Sequence, residues 1–450
     1  MTELMVDRGT GELLDRSAGA VHRSGGRAIG ALVDAYGTGN YLPAAFNRLG
    51  VDVIHVQSAA EPISRMQPWD RSAYLDSLVY DPDGGTERAL AEAGVCFVLP
   101  GQEPGVLLAD RLSEALGVRS NGTTRSDARR DKHKMTEAVS AAGLRTARQL
   151  RTADVEEAVA WAEAGGHWPC VAKPLASAST DGVTVCRTAG ELRSAFRTVL
   201  SSTTVFNGAN TEVLVQSYLE GTEYIVDTVS VDGRSYVCGV WRYEKRLLAN
   251  GKPIYNRDIL LPSDTPVVAE LADYTRRVLD VLHIRHGPAH TEIIVTDDGP
   301  ALVEVGARVN GHLHPAFHDR AMGVNSADLT ALAYLRPRDF LARYADGMYE
   351  RLRPAAVYNA PTLLSGTVVS VDEDLVREIR SRPSVVDLVV KRRPGDAIVP
   401  THDLLTSPLR VFLTHPDPVT LEIDYRFIES VRESVFRVRP AGPRAACGLV

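Results

Sequence analysis

The chain has 450 residues, 44% of them hydrophobic and 24% charged, an ordinary balance for a globular protein of roughly two to four domains. A formal net charge of −7 speaks against a basic nucleic-acid-binding face, and no apolar run approaches the length of a membrane span. Cys96, Cys170, Cys186, Cys238 and Cys447 are scattered, with no CxxC pair, and read as buried small hydrophobes in a reducing compartment. The acidic start MTELMVDRGTGELL lacks the apolar segment of a secretion signal, so a cytoplasmic protein is expected.

Residues 1–26 are polar and aperiodic and read as a tail. An apolar run from Ala28 to Val33, a turn at Gly37-Thr38-Gly39, a helical pattern from Tyr41 to Leu49 and a strand from Val53 to Val56 make a unit of parallel-sheet type. Gly37-x-Gly39 begins like a dinucleotide fingerprint, but Leu42 stands where the third glycine belongs. A strand from Val95 to Pro100 and a helix from Val106 to Leu116, closed by Gly117, complete an α/β domain over 27–125.

Helices are expected over Ser126–Ala142, Ala153–Ala164 (starting from Thr152) and Pro266–Leu282, with a helical pattern from Asn325 to Tyr334. Between them fall strands at Pro169–Pro174, Val183–Arg187, Val213–Val215, Tyr224–Val231, Tyr236–Tyr243, Thr291–Thr296 and Ala301–Val305, giving a second domain over 126–336. The third region, 337–450, reads as a small α+β domain. Its expected strands are Ser365–Val371, Val385–Lys391 and Val411–Thr414, with helices over Asp372–Ser381 and Pro418–Glu433.

The segment AHTEIIVTDDGPALVEVGARVNGHLHP, from Ala289 to Pro315, carries the clearest chemistry. A three-residue turn Asp297-Asp298-Gly299 would pair Thr296 with Pro300 and set Glu292 opposite Glu304 on one face. Like charges opposed across a ladder are destabilising unless a cation sits between them, and a hard divalent ion on carboxylate oxygens meets that need. Arg308 follows closely and offers a planar donor fork for phosphate or carboxylate.

Other residues fit polyphosphate. Lys132 starts a helix within the basic cluster Arg129, Arg130, Lys134, so that cluster is either solvated surface or faces an anion. Lys173 ends an apolar strand before Pro174, and Leu175–Gly182 is small, polar and flexible. Backbone N–H groups and one ammonium in that arrangement can cradle phosphates. The linker Gln216-Ser217-Tyr218-Leu219 between two apolar runs can present its backbone to an adenine edge, with Glu223 accepting from ribose hydroxyls.

In order and spacing, RDKHKM, CVAKPLASASTDGVTVC, LVQSYLEGTEYIVDTVS and the Glu292–Glu304 hairpin resemble the ATP-grasp superfamily over about 28–335. The E-x-G-x-R run from Glu304 through Gly306 to Arg308 looks most like the L-amino-acid (dipeptide) ligases, within a branch that includes biotin-carboxylase-like proteins. The resemblance implies an α/β (α+β) ATP-grasp fold: a leading α/β domain, a two-lobed nucleotide-grasping domain and a small C-terminal domain. It implies ATP and Mg2+, with Mn2+ as an alternative ion, and small-molecule carboxylic acid and amine substrates. It also implies a homodimer; from charge and hydropathy, no nucleic acid and no membrane partner are expected.

Carried over by position, Lys132, Lys173 and Lys245 would contact phosphates, and Ser177, Ser179, Thr180 and Gly182 would belong to the closing loop. Gln216, Ser217, Tyr218 and Leu219 would hold adenine, Glu223 the ribose, and Glu292 and Glu304 the metal. Arg308 and Lys173 would be catalytic. Arg308, Gly306, His290, His312, Tyr255 and Arg257 would line the substrate pocket. The chain departs from the family pattern in having one glycine in the phosphate loop, and Val309-Asn310-Gly311-His312 where dipeptide ligases often carry a large aromatic.

The implied reaction makes an acyl phosphate from a carboxylate and ATP, then an amide by amine attack, releasing ADP and phosphate. Two alternatives within the resemblance are a biotin-carboxylase-like carboxylating enzyme and a non-catalytic ATP-binding regulator. A zinc hydrolase built on His290, His312, His314 and His318 would leave Lys132, Lys173 and the small-residue loop without a purpose.

Overall fold

The computed structural model describes residues 27–64, 66–175, 182–204, 206, 208–247 and 253–440. The expected tail 1–26 and the loop residues Ser177, Ser179 and Thr180 lie outside them. Among the described residues no helix is long and apolar enough to cross a membrane.

The chain opens with β1 (Ala28–Val33), α1 (Leu42–Arg48), β2 (Val51–Gln57), β3 (Asp76–Val79), α2 (Gly85–Glu92), β4 (Val95–Pro100) and α3 (Val106–Ala115). The four strands form a parallel sheet in the order β3-β2-β1-β4. β1 reads AIGALV because helices and loops cover both faces of such a sheet, leaving no wet side to alternate toward. The Gly37-x-Gly39 turn serves close packing. A Cβ on Gly39 would lie 2.8 Å from the Gly101 carbonyl oxygen, and Thr38 donates from its hydroxyl to the Asn310 carbonyl (2.8 Å). That contact docks the first sheet on the loop after the Glu292–Glu304 hairpin.

Next come α4 (Lys132–Ala141), β5 (Gln149–Thr152), α5 (Val155–Ala164), β6 (Cys170–Lys173), β7 (Thr184–Cys186), α6 (Ala189–Leu200) and β8 (Val213–Ser217). The helix expected from Ser126 starts later. A short 3-10 turn over Asp127–Arg129 precedes it, and Asp131 caps α4 by accepting from the His133 and Lys134 amides. In the same way Asp154, not Thr152, caps α5. The strands form an antiparallel sheet in the order β5-β8-β6-β7, and its apolar side packs on α5 and α6.

The largest element is an eight-stranded sheet. Its strands come from β9 (Thr222–Val231), β10 (Arg234–Leu247), β11 (Pro253–Leu260), β12 (Gly287–Thr296), β13 (Gly299–Gly306), β14 (Ala355–Ala360), β16 (Val385–Val390) and β18 (Leu409–Thr414). The order is β13-β12-β9-β10-β11-β14-β18-β16. Helices α7 (Pro266–Val281), α8 (Pro315–Met322), α9 (Ser326–Leu335) and α10 (Pro337–Arg343) lie between its strands in sequence. β15 (Gly366–Val371), β17 (Ala397–Ile398) and β19 (Phe436–Arg439) form a separate three-stranded sheet, accompanied by α11 (Glu373–Arg380) and α12 (Pro418–Val431). β14, β18 and β16 thus continue the central sheet through the β11–β14 pairing. The mixed α/β class expected from the sequence is the class observed.

The β12–β13 hairpin differs from expectation in its path. The turn is tighter: Thr296 pairs with Gly299, whose φ of +100° suits glycine. That register alone would put Glu292 opposite Val303. An irregularity after Ile293 admits Val303 as an extra residue, and Glu292 faces Glu304 after all.

Candidate active site

Glu292 and Glu304 stand at one edge of the eight-stranded sheet, with cations brought to them from other elements. Lys132, the first residue of α4, forms an ion pair with Glu304. Lys173, at the end of β6, is buried in the same field, with Lys132, Glu304, Glu292 and Glu223 all acting on it. Burial and the neighbouring Lys132 push its ammonium down to about 8, and the three carboxylates oppose that shift. Burial would raise the Glu304 carboxyl, but Lys132, Lys173 and Arg308 hold it down to about 2, so it is ionised at neutral pH.

The basic cluster around the start of α4 is resolved residue by residue. Arg129 pairs with Asp110 (2.8 Å), Arg130 with Glu103 (2.7 Å) and Lys134 with Asp127 (2.5 Å). Only the Lys132 side chain of that run pairs with a hairpin carboxylate, so the cluster is neither plain surface nor a single anion patch.

Glu223, buried on β9, accepts from the Tyr255 hydroxyl (2.9 Å) and pairs with Lys245. Burial raises its carboxyl, and Glu292 adds to the rise while Lys245 opposes it. The Tyr243 hydroxyl donates to Glu292 (3.1 Å). Burial beside these carboxylates drives both tyrosine hydroxyls well above their usual range, so they remain donors. Ser217 closes β8 with its backbone amide on the Arg148 carbonyl and its hydroxyl accepting from the Arg148 amide (3.0 Å). The Gln216 side chain turns inward to Gln149 and Thr136, Leu219 is half-buried, and the Tyr218 ring is exposed. What this linker presents is therefore backbone. Gly182 has φ +72° and lies against the Pro174 ring.

The histidines do not converge as a zinc site would require. His290 bonds Asp227 (2.8 Å) and lies 3.4 Å from Glu292; burial works against its charge, but these two partners raise it to about 9. His312 bonds Asp258 (3.0 Å), and Asn310 bridges it to Asp227. His314 turns away to Asp387 (3.2 Å), and the ring of His318 bonds the His314 carbonyl. Each imidazole is thus occupied by a different partner. Two carboxylates on one face instead suit magnesium, a hard cation that takes one or two protein carboxylates.

Two residues were misread or missed. Arg257 does not join Tyr255 in the pocket. A bulge at Asn256 breaks the alternation on β11, and the Arg257 guanidinium pairs with Glu244 and Glu422 and stacks on Tyr425 (3.9 Å). Glu103 was not singled out. It lies just after β4 and bonds Arg308 Nε (3.1 Å) and Arg130 (2.7 Å), placing a carboxylate of the first sheet in the site. The one hint in the sequence is an acid beside Pro104 at the C-terminal end of a parallel strand, where α/β sheets bind ligands.

With this geometry in hand, comparison with known proteins is informative. The ATP-grasp domain family matches residues 167–315. Dapdiamide A synthase of Enterobacter agglomerans is 30% identical over 413 residues, covering 90% of this chain and 96% of that protein. An L-arginine-specific L-amino acid ligase of Bacillus subtilis is 26% identical over 170 residues, 38% of this chain and 40% of that one. The solved L-amino acid ligase of Bacillus licheniformis superposes with a TM-score of 0.71 at 20% identity, over 92% of this chain and all of that one.

Proposed function

The chain belongs to the ATP-grasp ligases, and from that premise we propose how its residues divide the work of an ADP-forming carboxylate–amine ligase acting on amino-acid substrates. The observation that carries the proposal is the convergence of Lys132, Lys173 and Arg308 on the carboxylate pair Glu292 and Glu304. Phosphoryl transfer asks a protein mainly for positioning and charge neutralisation, and this set supplies both. Glu292 and Glu304 would hold magnesium, which would supply charge screening at the phosphates.

Lys132 and Lys173 neutralise the phosphates, and Gly182 is assigned to the same phosphate site. The backbone of residues 216–219 meets the adenine and Glu223 the ribose, with Lys245 beside it. The substrate carboxylate attacks the γ-phosphorus and ADP leaves. Arg308 steadies the resulting acyl phosphate and then the oxyanion formed as the amine attacks; the oxyanion collapses to the amide, expelling phosphate, and the nitrogen gives up its proton. His290, Tyr255 and the Asn310–His312–Asp258 network form the wall against which the amino-acid substrates lie. Residues 27–125, 126–336 and 337–450 are assigned as the leading, nucleotide-grasping and C-terminal units. A homodimer in the cytoplasm, with manganese able to replace magnesium, completes the reading.

The test is a screen of carboxylate and amine pairs for ADP and phosphate release, with mass detection of the amide. Release that requires both partners is the expected result. ATP binding without turnover across a broad panel would reject the ligase in favour of a regulator, and bicarbonate-dependent release without an amine would point to a carboxylating enzyme.

A further inference from the structure

Arg308 is held from two sides. Its Nε donates to Glu103 Oε2 (3.1 Å), and Nη1 donates to the Val309 carbonyl (3.1 Å). Nη2 makes no hydrogen bond to a described residue. The other oxygen of Glu103 is taken by Arg130 (2.7 Å), so the carboxylate is itself fixed by a second guanidinium. Glu103 is buried and kept ionised: burial alone would raise its carboxyl, but Arg130, Arg308 and Lys132 lower it.

The backbone of the hairpin is shaped to admit this carboxylate. A Cβ on Gly306 would sit 2.6 Å from Glu103 Oε2 and 3.2 Å from the Arg308 guanidinium carbon. Gly306 has no positive φ in its favour. The need for glycine in Glu304-x-Gly306-x-Arg308 is therefore room for an acid arriving from 205 residues earlier in the chain.

We propose that Glu103 is a positioning residue for the ligase reaction, fixing the Arg308 guanidinium so that Nη2 faces the reacting carboxyl group. Two pinned nitrogens leave the fork little rotational freedom, and the remaining arm meets the acyl phosphate oxygen without reorganising. The leading α/β unit then supplies part of the active site. This inference rests on the role of Arg308 given above.

The test compares Glu103→Gln, Glu103→Asp and Gly306→Ala with the parent enzyme. Activity is followed by ADP release with a productive acid and amine pair, and acyl phosphate by hydroxylamine trapping without the amine. Misplacement of a catalytic group by about 1 Å costs on the order of 100-fold. Glu103→Gln and Gly306→Ala are therefore expected to lose about 10- to 100-fold in kcat, with KM for ATP within about two-fold. Glu103→Asp, which keeps the charge but draws it back, should fall between them and the parent.

In an Arg308→Lys background, adding Glu103→Gln should cost nothing further in kcat, because the guanidinium it positions is gone. Parental kcat in folded Glu103→Gln or Glu103→Asp overturns the inference, and so does a full additional loss in the Arg308→Lys background. If Glu103→Gln does not fold, Glu103→Asp decides, alone and added to the Arg308→Lys background, where it should cost nothing further. A parent enzyme that releases no ADP with any pair rejects the ligase reading itself, a different result from a variant that matches an active parent.

Discussion

Glu292 and Glu304 face each other across β12 and β13 because Val303 is accommodated as an extra residue between them and the turn. The pair is asymmetric. Glu304 is paired with Lys132, whereas Glu292 accepts from the Tyr243 hydroxyl and lies beside His290. Both are expected to act on the nucleotide's metal, so Glu292→Gln and Glu304→Gln should each lower kcat by about 10²–10³-fold, the scale of losing one electrostatic contact in a water-excluded site. Far-ultraviolet circular dichroism should stay parental. Activity retained in either folded variant would remove that carboxylate from the metal site.

Lys173 gives a prediction that does not depend on finding the substrates. A ligand present at a hundred times its Kd raises stability by about 2.7 kcal/mol. MgADP should therefore raise the Tm of the parent protein in thermal-shift measurements. Lys173→Met removes the buried ammonium proposed to face the phosphates and should abolish most of that rise, with the unliganded Tm as internal control. A full MgADP shift in Lys173→Met would mean that this lysine does not meet the nucleotide.

These two sites were legible in the sequence for different reasons. The hairpin carboxylates sit a few residues either side of a turn with strong local chemistry, so their pairing followed even though the turn is tighter than expected and the bulge was not foreseen. Lys173 stood out as a charge ending an apolar strand. β11 escaped because its inward positions are polar: Asn256 and Asp258 face buried partners, erasing the two-residue hydrophobic rhythm on which strand recognition depends. The same strand's bulge sent Arg257 away from Tyr255, and nothing local announces a bulge. Glu103 was hidden for another reason, since its partner lies far along the chain and only the folded arrangement brings them together.

His55 predicts an acid limb in the stability profile. It is fully buried on β2, stacked on Trp69 (4.1 Å), with Nε2 accepting from the Ala35 amide (3.3 Å). Burial pushes it down to about 4 from its ordinary 6.5. The unfolded chain takes up a proton near pH 6.5 and the folded chain does not, so stability present above that pH is lost as pH falls toward 4. The loss is about 1.4 kcal/mol per pH unit for one such group. Burial likewise depresses His286 and His318 to about 4, so they share the limb. Urea unfolding of His55→Phe between pH 7 and 4.5 should show a slope reduced by one proton; an unchanged slope would mean that His55 is protonated in the native protein.

Arg129 and Asp110 make the last prediction. Arg129 is fully buried, pairs with Asp110 (2.8 Å) and also donates to the carbonyls of Gly122 and Leu282 (2.9 Å to the latter), tying α3 to the segment after α7. Removing one partner of a buried pair leaves an uncompensated charge, which costs about 3–5 kcal/mol. Arg129→Met should be destabilised on that scale. Asp110 adds a pH signature. Burial already raises its carboxyl above the ordinary value despite the guanidinium beside it. Without Arg129 the rise must be larger, and a group whose folded pKa is raised contributes stability at low pH that is lost as pH increases. The deficit of Arg129→Met should therefore shrink on acidification from pH 8 toward 5, and Arg129→Met/Asp110→Asn should lose that dependence. A deficit constant across this range would show that Asp110 stays ionised, or is solvated, once the arginine is gone.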